Sequence, residues 1–232
     1  MKRLTTTFVG PFSAQTHKRP CSPLCFLVFF LTLAPLLVAV PSWSAPKKPD
    51  TMVQQVTDDV LGVLRAEKAR LKNNEQELYD LVDEKILPHF DFKYISQIVL
   101  GRYWNQATDQ QKVDFSENFK SLLVRTYANG LISYTDEKVR VLPYRGETEA
   151  RDASIRTEII PASGPKVPVT YSMYGTRDGG WQIYDVNING VSMVVTYRKN
   201  FASEIQRHGL DGLINKMKRN EIETDLPKPE SK

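Results

Sequence analysis

Cysteine is scarce in this chain of 232 residues, and the two present, Cys21 and Cys25, both precede residue 45. Everything from Ala45 onward is thiol-free, which excludes a disulfide scaffold, a thiol nucleophile and a cysteine metal site there. Histidine is almost as rare: beyond residue 45 only His89 and His208 occur, far apart in sequence. Neither has a second histidine at ligand spacing, and no HExxH pattern or glycine-rich phosphate loop is present. No metal and no cofactor is therefore expected. Net charge is missing as well. Four of the 31 basic residues, Lys2, Arg3, Lys18 and Arg19, fall in the first 44 positions, which hold no acid; the 27 that follow balance the 27 acidic residues. A body without surplus Lys and Arg is poorly suited to neutralising phosphates, so no nucleic acid partner is expected.

Long apolar runs are also absent, with one exception. Cys25–Val40 (CFLVFFLTLAPLLVAV) is uncharged, follows the basic segment and precedes small residues. That is the order of a secretory signal peptide. Interrupted by Pro35, it falls short of the roughly 20 residues a spanning helix needs. Cleavage is expected after Ser44, with Ser42 at the −3 position. The chain then divides into a signal peptide (1–44), one α+β domain (45–220) and a solvated tail (221–232). An exported chain without disulfides fits a bacterial periplasm.

Pro46–Asp50 reads as a polar linker. Val53, Val56, Val60, Leu64 and Leu71 recur at helical spacing and predict a helix over about 51–72. Leu78, Leu81, Val82 and Ile86 predict a second, stopped by Pro88. Asp91 can cap a third, Phe92–Leu100, closed by Gly101. Thr108–Gln111 has the form of a capping box and opens the longest helix, with an apolar stripe of Phe115, Phe119, Leu122, Leu123, Tyr127, Leu131 and Tyr134.

The period then changes. Val139 and Val141, then Ala153, Ile155 and Ile159, then Val167, Val169, Tyr171 and Met173 occupy odd positions between mostly polar even ones, giving three strands with one buried face each. Gly146–Thr148, Ser163–Pro165 and Asp178–Gly180 punctuate them. A fourth strand, Trp181–Ile188, is partly apolar at both parities, as for a strand covered on both sides. Helices over about Ser192–Arg207 and Leu210–Met217 follow. The fold class expected is α+β: helices packed on one face of a four-stranded antiparallel sheet, cone-like, with room for an apolar pocket between the layers.

Chemistry-bearing patterns are few. Gly190-Val191-Ser192-Met193-Val194 superficially resembles a nucleophile elbow, but Val194 replaces the second glycine and Ser192 more simply caps a helix. Asp185, between Tyr184 and Val186, could serve as a general base on a cone-shaped fold or could pair with a neighbouring element. Lys216, Lys218 and Arg219 form a basic cluster that either complements a helix end or docks to a surface. The apolar stripes either pack against each other as a core or line a cavity for an apolar ligand, and periodicity alone fits both.

One resemblance bears on that choice. Asp91-Phe92-Lys93-Tyr94-Ile95-Ser96, Val99-Leu100-Gly101-Arg102-Tyr103-Trp104 and Ala107-Thr108-Asp109-Gln110-Gln111 resemble the MlaC family of phospholipid-binding proteins, also called the toluene-tolerance auxiliary family. The likeness continues through Phe115, Phe119, Leu122, Leu123, Thr126 and Tyr127, through Trp181–Val186, Gly190-Val191-Ser192, Tyr197-Arg198 and Phe201, and through Gly209–Leu213. Gln97 departs from the family pattern, which commonly has arginine there. The resemblance implies a non-enzymatic, monomeric periplasmic carrier of Gram-negative bacteria with a bound phospholipid as cargo. It also implies shuttling between an outer-membrane lipoprotein–porin complex and an inner-membrane ABC transporter complex to maintain outer-membrane lipid asymmetry. On that reading the lipid-binding candidates are Phe115, Phe119, Leu122, Leu123, Tyr127, Val139, Val141, Ile155, Val169, Tyr171, Met173, Trp181 and Tyr184. The alternative is a small-molecule enzyme using Asp185.

Overall fold

The computed structural model describes residues 48–133, 136–146 and 150–222. The expected signal peptide, Tyr134, the Thr148 end of the first strand connection and most of the expected tail lie outside them.

The first helix, α1 (Pro49–Ala66), begins earlier than the linker reading placed it, with Pro49 in its first turn. Proline suits that position because its missing N–H would be unpaired there anyway. Asp50 accepts a hydrogen bond from the Tyr144 backbone N–H at 3.0 Å, tying the helix start to the loop after the first strand. The long helix expected over 51–72 is broken at Glu67 (φ −118°, ψ 17°), and α2 (Lys68–Asn73) continues it. Then come α3 (Glu75–Lys85) and α4 (Phe92–Leu100). Asp91 accepts from the Tyr94 N–H at 2.9 Å as the N-cap of α4. Gly101, at φ 52°, ends it.

The capping box forms reciprocally. Thr108 N–H donates to Gln111 Oε1 at 3.0 Å, and Gln111 N–H donates to Thr108 Oγ1 at 3.2 Å. It opens α5 (Asp109–Ser133). Five strands follow rather than four: β1 (Lys138–Val141), β2 (Asp152–Ile160), β3 (Val167–Gly175), β4 (Trp181–Ile188) and β5 (Val191–Ser192), an antiparallel meander in chain order. The fifth exists because Asn189 (φ 51°) and Gly190 (φ 84°) both take left-handed backbone. A two-residue turn of that kind matches strand twist and folds the chain back as a hairpin. The last helix, α6 (Met193–Lys218), is broken at Gly209 (φ 70°, ψ 173°), which accounts for the two expected helices.

The mixed parity of β4 has a second cause besides the covering on both sides that its sequence suggested. Ser172 pairs with Asp185 but Met173 pairs with Ile183, so Tyr184 is an extra residue in a β-bulge. Trp181 and Ile183 before it, and Val186 and Ile188 after it, thereby share the face of Met173, Tyr171 and Val169. A bulge shifts side-chain parity by one; the other face of β4 is covered too, as its sequence suggested, with Tyr184 packed against the α4–α6 side and no residue of the strand exposed.

Candidate functional site

The long helix has three apolar stripes, not one. Phe115, Phe119 and Leu122 are buried between α4 and α6. There Phe119 meets the rings of Tyr197 and Phe201 at 5.0 and 5.5 Å. At about 100° per residue, Val124, Ala128 and Ile132 lie on nearly the opposite side, buried with α1 and α3. Between these stripes run Leu123, Tyr127 and Leu131, all half-buried. Leu123 and Tyr127 border the first cluster and Leu131 the second.

A third cluster joins α1 to the sheet: Met52 and Val53 pack with Ala153, Ile155, Met173, Trp181 and Ile183. Among the described residues, α1 packs on β1 and β2, α4 and α6 pack on β4, and α5 packs on other helices. On the central strand β3 the helix contacts lie near its end, with Met173 under α1 and Tyr174 against Tyr94 of α4. A single domain ordinarily builds one contiguous core; here the buried side chains form three.

The inner face of β3 and its neighbours is correspondingly half-covered. The register aligns Val141, Thr157, Val169 and Ile188 in one row and Ile155, Tyr171 and Val186 in the next. Val169 is buried yet belongs to none of the clusters. Val139, Val141, Tyr171, Val186 and Ile188 keep part of their surface. One polar pair interrupts this face: Thr157 Oγ1 donates to the Val169 carbonyl at 3.3 Å, and Tyr171 hydrogen-bonds Thr157. Burial pushes the Tyr171 phenol up, so it stays neutral. Tyr127 is held up by the same cause, with the Tyr197 hydroxyl beside it.

The residues expected to bind an apolar ligand therefore fall into three groups. Phe115, Phe119, Leu122, Ile155, Met173 and Trp181 sit in packed clusters. Leu123, Tyr127, Val139, Val141, Val169 and Tyr171 belong to the half-covered surfaces or their borders. Tyr184 alternates with the inward-facing Trp181 and Ile183 and so lies on the outer face of the sheet, packed against the α4–α5–α6 cluster with its ring 5.6 Å from Tyr94 and 6.5 Å from Tyr174. Sequence reasoning passed over Val186 and Ile188, because without the bulge their parity points outward.

The chain belongs to the MlaC family. The family model described as MlaC protein matches residues 54–219, nearly all of the described domain. The chain is 31% identical over 186 residues to the toluene tolerance protein ttg2D of Pseudomonas putida, covering 80% of this chain and 83% of that one. It is 28% identical over 177 residues to the intermembrane phospholipid transport system binding protein MlaC of Haemophilus influenzae, covering 75% and 83%. Among solved structures it resembles the phospholipid-binding protein of Ralstonia solanacearum in complex with a phospholipid. That match has a TM-score of 0.69 and 34% identity over 75% of this chain and 96% of that one.

Other candidates for chemistry take structural places in this MlaC-family domain. Asp185 accepts from Ser192 Oγ at 2.6 Å and from the Val194 N–H at 3.1 Å, so both carboxylate oxygens serve the start of α6. Ser192 Oγ accepts in turn from the Val195 N–H at 3.1 Å. Lys216 pairs with Glu204, Lys218 with Asp114 and Arg219 with Glu221. Ile222, placed in the solvated tail by its sequence, packs against the α4–α5–α6 cluster. Among the described residues no helix is long and apolar enough to cross a membrane, and no three metal-ligating side chains converge.

Proposed function

We propose that this chain is a periplasmic phospholipid carrier. Its cargo's acyl chains lie between the half-covered stripe of α5 and the half-covered part of the inner face of β3 and β4. The observation that carries the reading is this pair of apolar surfaces, only partly covered by the clusters they border, in a family whose solved relative holds a phospholipid. Leu123, Tyr127, Val139, Val141, Val169, Tyr171, Val186 and Ile188 are the lining residues on this reading, and the packed aromatic residues of α5 support them from behind.

Burial of each methylene is worth about 0.8 kcal/mol, so two 16-carbon chains represent roughly 25 kcal/mol. A phospholipid cannot cross water bare at a useful rate, and a carrier need only cover its chains. No bond changes, no cofactor is needed and the protein works as a monomer. Release follows from a partner that opens the layers: an inner-membrane ABC transporter complex on one side of the periplasm, an outer-membrane lipoprotein–porin complex on the other. This traffic maintains outer-membrane lipid asymmetry. The engagement of both Asp185 oxygens by α6 gives the general-base alternative no support.

Native mass spectrometry of the protein purified from a Gram-negative periplasm tests the reading. One co-purified phospholipid per chain is expected, and a uniformly lipid-free mass overturns it.

A further inference from the structure

The outer face of the sheet carries a feature that the carrier role does not use. Tyr174 of β3 and Tyr184 of β4 lie side by side there, 6.5 Å apart and inclined by 33°. Tyr94 of α4 stands edge-on to both, at 88° to Tyr174 and 64° to Tyr184. With Asp91, Lys93, Gln97 and Asp152 the rings of Tyr94 and Tyr174 border an open recess of about 390 Å³. Tyr94 is 40% exposed, one of the few large hydrophobic side chains so uncovered among the described residues.

Two carboxylates frame this recess. Asp91 accepts from Tyr174 Oη at 2.5 Å and from the Tyr94 N–H. Asp152 sits beside Tyr174 in the strand register. Neither has an ion-pair partner among the described residues. Lys93 offsets one of the two charges, which leaves the recess with one negative charge.

We propose that this recess is a docking socket for a single arginine side chain presented by a partner protein. A guanidinium is flat enough to stack on a tyrosine face, and its fork of donors can reach a carboxylate at the same time. One such cation matches the residual charge. Tyrosine and arginine are also the side chains that most often anchor protein interfaces. Strand parity puts Asp152 and Tyr174, which border the recess, on the side of the sheet opposite the half-covered apolar face. The socket stands independently of what the inner face holds.

Amide NMR of the purified protein titrated with N-acetyl-L-arginine methylamide tests it, with the matching lysine derivative and phosphocholine as competitors. Saturable shifts are expected at Tyr94, Gln97, Asp152 and Tyr174, with the lysine derivative weaker. Asp152→Asn should weaken binding by about fivefold or more, the loss of one charged hydrogen-bonded contact. Gln97→Arg should fill the recess from within and abolish it, leaving co-purified lipid unchanged. Absence of saturable shifts at these amides overturns the proposal, as does unaltered binding in Gln97→Arg. Phosphocholine competing as well as the arginine derivative also overturns it, because the recess is then a headgroup site. Lipid content measured on the same samples reports separately on the carrier reading.

Discussion

Asp91 and Asp185 are each a carboxylate placed where a helix starts, and each joins that helix to the sheet. Asp185 links β4 to α6 and leaves the Ser192 cap in place behind it. Asp185→Ala should therefore cost about 1–2 kcal/mol, the usual worth of a helix cap, read as a lower urea midpoint with unchanged lipid content. Asp91 acts on Tyr174 as well. Its hydrogen bond, followed by burial, pushes the Tyr174 phenol up to about 12. A raised folded value means the contribution is complete below the unfolded value near 10 and is lost as pH climbs through about 12. Urea stability should accordingly fall over that interval, and Tyr174→Phe should flatten part of the fall. Tyr79, also held at about 12, mainly by burial with Glu75 second, contributes to the rest, together with Tyr127, Tyr171 and Tyr184, which burial also raises. An identical alkaline profile in the Phe variant would remove the Asp91–Tyr174 bond from the account.

Among the elements, those bounded by local chemistry were legible in the sequence. The Asp91 cap, the Gly101 stop and the Thr108–Gln111 box depend on residues within one turn, and each forms where the pattern places it. What escaped depends on distant partners. The break at Glu67 interrupts a pattern whose spacing is still helical. The bulge at Tyr184 changes which residues of β4 face inward, a choice made by pairing with β3. The three stripes of α5 read as one because periodicity records apolar positions but not which neighbour covers them. For the same reason the sequence joined Phe115 and Phe119, locked in a ring cluster, with Leu123 and Tyr127, which are not. The break in α6 was legible through Gly209, and it yields a prediction at this scale. At φ 70° and ψ 173°, with open space around the missing Cβ, the cost of Gly209→Ala is backbone strain alone, about 1–3 kcal/mol. Its effect should concentrate in the last half of α6, where Glu204 pairs with Lys216 across the break. Hydrogen exchange at Leu213 and Ile214 should accelerate while that at Phe115 is little changed; uniform acceleration would mean the two halves of α6 do not open separately.

For the whole molecule the question is whether the three clusters together are a finished core or the walls of a space. Two kinds of substitution separate these cases. Phe119→Ala removes a ring from a fully buried site and should cost about 3–5 kcal/mol, yet every chain that folds should still carry one phospholipid. Leu123→Trp and Val186→Trp add bulk to half-buried positions on α5 and β4. In a packed core such overfilling destabilises by about 1–3 kcal/mol. Between walls it occupies space otherwise open to acyl chains, so lipid per chain should fall well below one while the thermal midpoint of delipidated protein holds or rises. Bound lipid stabilises the folded state it occupies, so the midpoint difference between loaded and delipidated protein should also shrink in both Trp variants. If instead both keep their lipid and melt earlier, Leu123 and Val186 are core. The space would then have to lie elsewhere along the inner face of β3, with Val169→Glu the substitution to try next.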